Sequence, residues 1–414
     1  MAQSINAQAL DSVQIRQRSD SSLWKLRLAL GWIILLGYVV GFFAFSWDIQ
    51  WHSVVGRDRT LTAPHLFILG GVTFTGLVAL AAVLIETMWA RRNASVAKSS
   101  MPFAGFFSST LGAYLVGYGS LTAAIAFPID QYWHTIYGID VSIWAPFHIM
   151  EFAGFFVGNL GAVYMLANVA RLAARHGAKW AERAGYVGVI VALATLMGAL
   201  TFVLIPSISQ GYIPLGSLTF TVYPLMFGAF ATFILVIAMR ALPWRLTATS
   251  VAVAYLVIGW INTLLIPPLM AFTLAAEQQS LLPGATTAVV VAREWQNSLI
   301  IAAVILDVVV WIAARKEWSL QKTNKRTLVA ALIGMSLSAL FFPFFLLTAL
   351  VHSGFGGVVT GAKPSPSGGA SPAPSILGFV VIVVVSLLVG LLGTYIGNWF
   401  GSGVGESMRR EERS

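Results

Sequence analysis

Ten apolar runs, each about 20 residues long, set the terms on which this chain can fold, since that is the length that crosses a bilayer core as a helix. They fall at 24–46, 65–89, 103–128, 145–170, 185–206, 216–240, 246–272, 296–315, 328–350 and 376–398. Only 10% of the 414 residues are charged, against roughly a quarter in soluble globular proteins. A soluble fold is excluded, because runs this long and this poor in charge belong where charge is expensive. The sequence therefore predicts an all-α integral membrane protein of about ten transmembrane helices.

The chain carries 25 Lys and Arg against 16 Asp and Glu, a net charge of +9. This excess does not point to nucleic acid, since most basic residues fall in alternate loops and mark one side of the membrane. Arg16, Arg18, Lys25 and Arg27 place the N-terminus inside. Later clusters around Arg91, Arg175, Arg240, Arg315 and Arg409 alternate with it, leaving Arg57 and Arg59 as the exception. The expected location is a bacterial-type cytoplasmic membrane, with both termini in the cytoplasm. Residues 1–23 form a polar cytoplasmic segment, and the first run, without a small-residue cleavage site, is read as a retained span. Residues 24–180 form a duplicated four-helix region, and 181–352 a further bundle. Residues 353–375, rich in Gly, Pro and Ser, read as an external linker. Residues 376–414 hold the last span and a cytoplasmic tail. Pro267, Pro268 and Pro343 lie inside apolar runs and are expected to kink them. With no cysteine, disulfides, thiolate metal sites, iron–sulfur clusters and cysteine nucleophiles are excluded.

The first two outer loops repeat one pattern. Asp48, Trp51, His52, Gly56, Asp58, Pro64 and His65 recur in the same order as Asp130, Trp133, His134, Gly138, Asp140, Pro146 and His148. On a helix, Asp at i and His at i+4 share one face, and the second His enters on the next helix after a short turn. The hairpins are thus expected to gather Asp48, His52 and His65 at one metal site, and Asp130, His134 and His148 at another. Imidazole and carboxylate suit copper, zinc or iron, and three protein ligands leave positions open for water, oxygen or substrate. A single Asp-x-x-x-His at a membrane interface is an ordinary solvated helix end. Four of the chain's six histidines, however, fall in these two segments. Asp58 and Asp140 are candidates to accept the other ring N–H of a ligating His, with an ion pair to Arg57 or Arg59 equally open to Asp58. Glu151, one turn beyond His148, is a candidate for proton handling or for supporting the second site, with a structural hydrogen bond to a neighbouring helix equally open; the first repeat has Ile68 in that place.

The stretch from Asp130 through Trp133-His134, Asp140 and Pro146-x-His148-Ile149-Met150-Glu151-Phe152 resembles the metal-binding hairpin of the C subunit of copper membrane monooxygenases, the particulate methane and ammonia monooxygenases. The first repeat shares the Arg57-Asp58 pair of that pattern. That subunit has one Asp/His/His and one Asn/His/His site, with His spacings of 13 and then 14, as in this chain. The resemblance covers the first four spans, departs from the family at Asp130, and leaves six spans without a counterpart. It implies copper as cofactor, O2-dependent oxidation of a small apolar substrate, monooxygenase-type partner subunits in the bilayer, and association between copies of the chain. The residues by themselves leave zinc open as the metal. They also leave open a membrane metal transporter or delivery protein, or a subunit whose repeats only hold a loop shape.

Of the remaining polar residues, Asp307 needs a partner on another helix, with Asn262 or a Thr hydroxyl as candidates. Glu86, near Arg91, reads as a charge snorkelling to the surface. Trp47, Trp51, Tyr132, Trp133 and Trp144 read as an interfacial aromatic belt. His352 and His176 read as solvated.

Overall fold

The structure, a computed structural model, describes residues 2–56, 61–137, 145–209, 212–215, 218–287, 297–341 and 375–410. Side chains are described for these except 2–22, 134, 200–209, 212–215, 218–221, 320, 409 and 410. Asp58, Asp140, Arg57, Arg59, Trp144, Pro343, His352 and nearly all of the 353–375 linker lie outside the described residues.

The chain is built from helices: α1 (Ala2–Val54), α2 (Ala63–Arg92), α3 (Ala94–Lys98), α4 (Leu111–Tyr137), α5 (Pro146–Arg175), α6 (Lys179–Ser209), α7 (Tyr223–Ala241), α8 (Thr247–Glu277), α9 (Leu299–Arg315), α10 (Leu320–Leu340) and α11 (Ile376–Arg410). Among the described residues, eight are long and apolar enough to cross a membrane. These eight match eight of the expected runs. The other two runs are helical as well: α9 has 17 residues, and α10 covers the start of the ninth run, whose remainder from 342 lies outside the described residues.

The third and sixth spans start later than their hydropathy suggests. Met101–Phe103 (β1) pairs antiparallel with Phe107–Ser109 (β2) before α4 begins, and Tyr212–Leu215 (β3) pairs with Leu218–Thr221 (β4) before α7. In the first hairpin Ala104 and Gly105 take positive φ, which reverses the chain where an apolar run alone reads as helix. Pro267 and Pro268 lie inside the continuous α8.

Two compact units divide the chain: residues 1–196, 262–289 and 408–414 form one, and residues 197–261 and 290–407 the other. In the first, α1 packs on α2 and α5, and α4 on α2 and α5, closing a four-helix ring. Glycine permits the closest of these approaches. A Cβ on Gly119 of α4 would lie 2.4 Å from the carbonyl oxygen of Gly154 on α5, and one on Gly154 would lie 2.6 Å from that of Gly119. Backbones in such contact gain van der Waals packing, which in lipid replaces the missing hydrophobic drive between helices.

At one end of this ring the reading of Glu86 as a snorkelling surface charge is corrected. Glu86 is fully buried and forms a bidentate ion pair with buried Arg27, Nε to Oε1 at 2.9 Å and Nη2 to Oε2 at 3.0 Å. Arg27 also donates to Asn168 Oδ1 at 3.1 Å, Ser99 O at 3.2 Å and Ser100 Oγ at 3.3 Å. Each guanidinium nitrogen thus reaches at least one fixed acceptor, the condition under which a buried charge is tolerated. In the sequence Arg27 signals topology and nothing more. Hydropathy gives no sign that this pair forms, because its members are 59 residues apart.

In the second unit, Asp307 of α9 meets the expected threonines, Thr247 and Thr249 of α8, and binds that helix through its backbone as well. Its carboxylate accepts the backbone N–H of Ala248 at 3.1 Å and of Thr249 at 2.7 Å. These are first-turn amides of α8, which no intrahelical carbonyl can satisfy. Ser338 of α10 donates to Ser298 O at 2.7 Å and accepts from Ala302 N at 3.2 Å, tying α10 to the start of α9.

Candidate metal centre

Helix α1 runs without a break to Val54, so Asp48 and His52 lie one turn apart on one face of it. Pro64 is the second residue of α2, a position where its missing N–H costs nothing, and His65 comes next, in the first turn. The three side chains meet. Asp48 Oδ1 is 3.0 Å from His65 Nε2 and 3.4 Å from His52 Nε2, and the two Nε2 atoms are 3.4 Å apart. All three groups are partly buried. Asp48 Oδ1 is buried between the two imidazoles. The ligand-type atoms of the three side chains therefore converge on one small space.

This triangle fits a metal ion. Two N or O ligands about 2.1 Å from a metal and at the tetrahedral angle stand about 3.4 Å apart. The donor set of two imidazoles and one carboxylate suits copper or zinc and does not choose between them. Among the described residues this is the one group of three that meets such a test.

The second hairpin is brought together in part. Asp130 lies within α4, His148 in the first turn of α5, and Asp130 Oδ1 is 3.6 Å from His148 Nε2. The side chain of His134 lies outside the described residues. Glu151 is half-buried on α5 and stands in electrostatic range of Asp130 and also of Asp48 and His65. The sequence attaches Glu151 to the second site alone. In the four-helix ring it lies within electrostatic range of groups from both.

The helix faces that carry the two candidate sites continue, turn by turn, to one interior space. A narrow cavity between α1, α2, α4 and α5, with room for about one water-sized molecule, is lined by Gly41 and Phe45, by Ile68, by Gly119 and Ala123, and by Gly154. These positions continue inward, by whole turns, the helix faces that carry Asp48, His65, Asp130 and Glu151. The inner end of the cavity is hydroxylated. Thr75 Oγ1 and Ser120 Oγ are 3.1 Å apart, and the buried Tyr38 hydroxyl lies beside them without an aligned hydrogen bond.

The aromatic belt is corrected at two positions. Trp51 is fully buried and Trp47 nearly so, packed with Val54 against Ile266 and Met270 of α8. Tyr132 remains exposed, and Trp133 packs against Phe147 within its own hairpin. Sequence reasoning missed α8 at this site. Its only visible sign is Glu277, an acid at the end of an apolar run. No protein-family model matches this chain, and no curated protein or solved structure matches it.

Proposed function

We propose that this protein is a copper-binding integral membrane protein of the kind represented by the C subunit of copper membrane monooxygenases, supporting O2-dependent oxidation of a small apolar substrate together with other subunits. The observation that carries the reading is the convergence of Asp48 Oδ1, His52 Nε2 and His65 Nε2 to within 3.4 Å of one another. Resemblance favours copper over zinc. In this reading Asp48, His52 and His65 hold one ion, and Asp130, His134 and His148 hold a second. Bound copper supplies the redox chemistry with O2. The chain's own residues orient the imidazoles, hold the Glu151 carboxyl group within electrostatic range of both sites, and keep apolar walls beneath them. Ten spans with both termini inside put the sites at the outer face of the membrane.

Metal analysis of the purified protein tests this directly. Two copper ions per chain are expected, with one after either His65→Ala or His148→Ala and none after both. Full metal content in the folded double variant returns these histidines to an ordinary interfacial role. Identification of the subunits that co-purify tests the monooxygenase part separately.

A further inference from the structure

The first repeat is held by a part of the chain that lies far from it in sequence. Residues 262–289, comprising the second half of α8 and the segment after it, belong to the same compact unit as the hairpins. Three contacts bring this segment to the mouth of α1 and α2. Ile266 and Met270 pack on Trp47, Trp51 and Val54, with Leu269, Leu274 and Leu281 around them. Glu277 Oε1 accepts the backbone N–H of Ala63 at 3.3 Å. The backbone N–H of Leu282 donates to Val54 O at 2.8 Å.

The two hydrogen bonds fall on the ends of the two ligand-bearing helices. Ala63 opens α2 two residues before His65, and Thr62 before it provides no side-chain cap. Pro64 has no N–H to cap. A carboxylate at this helix start therefore satisfies an orphan amide and favours the positive end of the helix dipole. Val54 closes α1 two residues after His52. Glu277 and Leu282 are themselves five residues apart, so one short stretch fastens both helix ends. The separation of those ends sets how far the His52 imidazole stands from that of His65. At the second hairpin, among the described residues, the corresponding apolar cluster of Ala126, Trp133, Ala145, Phe147 and Met150 comes from α4, α5 and their connection.

We infer that Glu277 is a positioning residue for the Asp48, His52 and His65 site, and that residues 277–282 act as a strap that fixes its geometry while leaving the second site to its own hairpin. The metal part rests on the function proposed above. The strap itself does not.

The test uses the full-length protein in detergent, loaded with Cu(II), as wild type, Glu277→Ala and Glu277→Gln. Glutamine keeps a carbonyl acceptor for Ala63 N–H, and alanine removes it. In Glu277→Ala the Asp48 site is expected to lose about tenfold in copper affinity, the size typical of a lost supporting partner. Its Cu(II) electron paramagnetic resonance spectrum should change, the Asp130 site should keep its copper, and Glu277→Gln should restore both readouts. Hydrogen exchange across residues 52–66, measured without metal, should be faster in Glu277→Ala and near wild type in Glu277→Gln. Unchanged exchange in Glu277→Ala overturns the strap. Faster exchange with an unchanged spectrum, or with equal copper loss from both sites, overturns the positioning role. If the wild type binds no copper, the functional reading fails, and the exchange measurement still decides the strap.

Discussion

Arg27 and Glu86 show how far one residue's meaning depends on what it meets. Each alone reads as a charge near an interface, yet together they form a buried, bidentate ion pair. Removing one partner leaves the other charged and desolvated. Arg27→Met is therefore expected to destabilise the protein by about 3–5 kcal/mol, while Arg27→Met with Glu86→Leu recovers most of that loss. Thermal unfolding of the three proteins in one detergent checks this, and additive losses in the double variant would count against the pairing. Asp48, His52 and His65 behave differently. Their chemical types and their spacing already mark them as a group, since an i, i+4 pair and a proline-led helix start are local geometry. Glu151 is only half legible in the sequence. Its helical phase to His148 is local, but its approach to Asp48 and His65 needs α1, α2 and α5 in one ring.

Among the elements, the hydropathy pattern locates the helices because burial in lipid demands long apolar segments with every backbone group paired internally. It misplaces the starts of α4 and α7, where the β1–β2 and β3–β4 hairpins carry enough apolar residues to extend the runs. It cannot foresee which helix faces touch. The close crossing of α4 and α5 depends on glycine at Gly119 and Gly154, and this yields a paired expectation. Gly119→Val should cost about 1–3 kcal/mol by overpacking, because its new Cβ meets the Gly154 carbonyl. Gly117→Ala, two residues earlier, faces open space, so it should be neutral or slightly stabilising, as expected for alanine replacing glycine within a helix. Unfolding temperatures of the two variants check the contrast, and equal losses would mean that the α4–α5 crossing is not glycine-dependent.

For the whole molecule, two polar clusters bracket the four-helix ring. On α1, Asp48 lies 21 residues after Arg27, and on α2, Glu86 lies the same number after His65. At 1.5 Å per residue this separates the candidate metal site from the ion pair by about 30 Å, the thickness of a bilayer's hydrocarbon core. The charged groups thus belong to opposite interfaces, with the apolar cavity between them. The proposed orientation has a direct check, since the chain has no cysteine and both Ser53 and Thr135 are exposed. Single cysteines at these two positions should react with a membrane-impermeant thiol reagent from the outside only. Reaction from the cytoplasmic side alone would reverse the topology and move both sites inward.

The membrane class, most of the helices and the identity of the ligand-type residues are all legible in the amino-acid order, because each rests on a local quantity: hydropathy over one span, side-chain type or helical spacing. The partners are not, and helix packing alone assigns them. Asp307 caps α8, Glu86 closes on Arg27, Trp51 turns inward onto α8, and Glu277 reaches across to the start of α2. Each joins residues tens or hundreds of positions apart, and the choice is made by which helices pack together. A buried polar group accepts whatever satisfied partner that packing brings within reach.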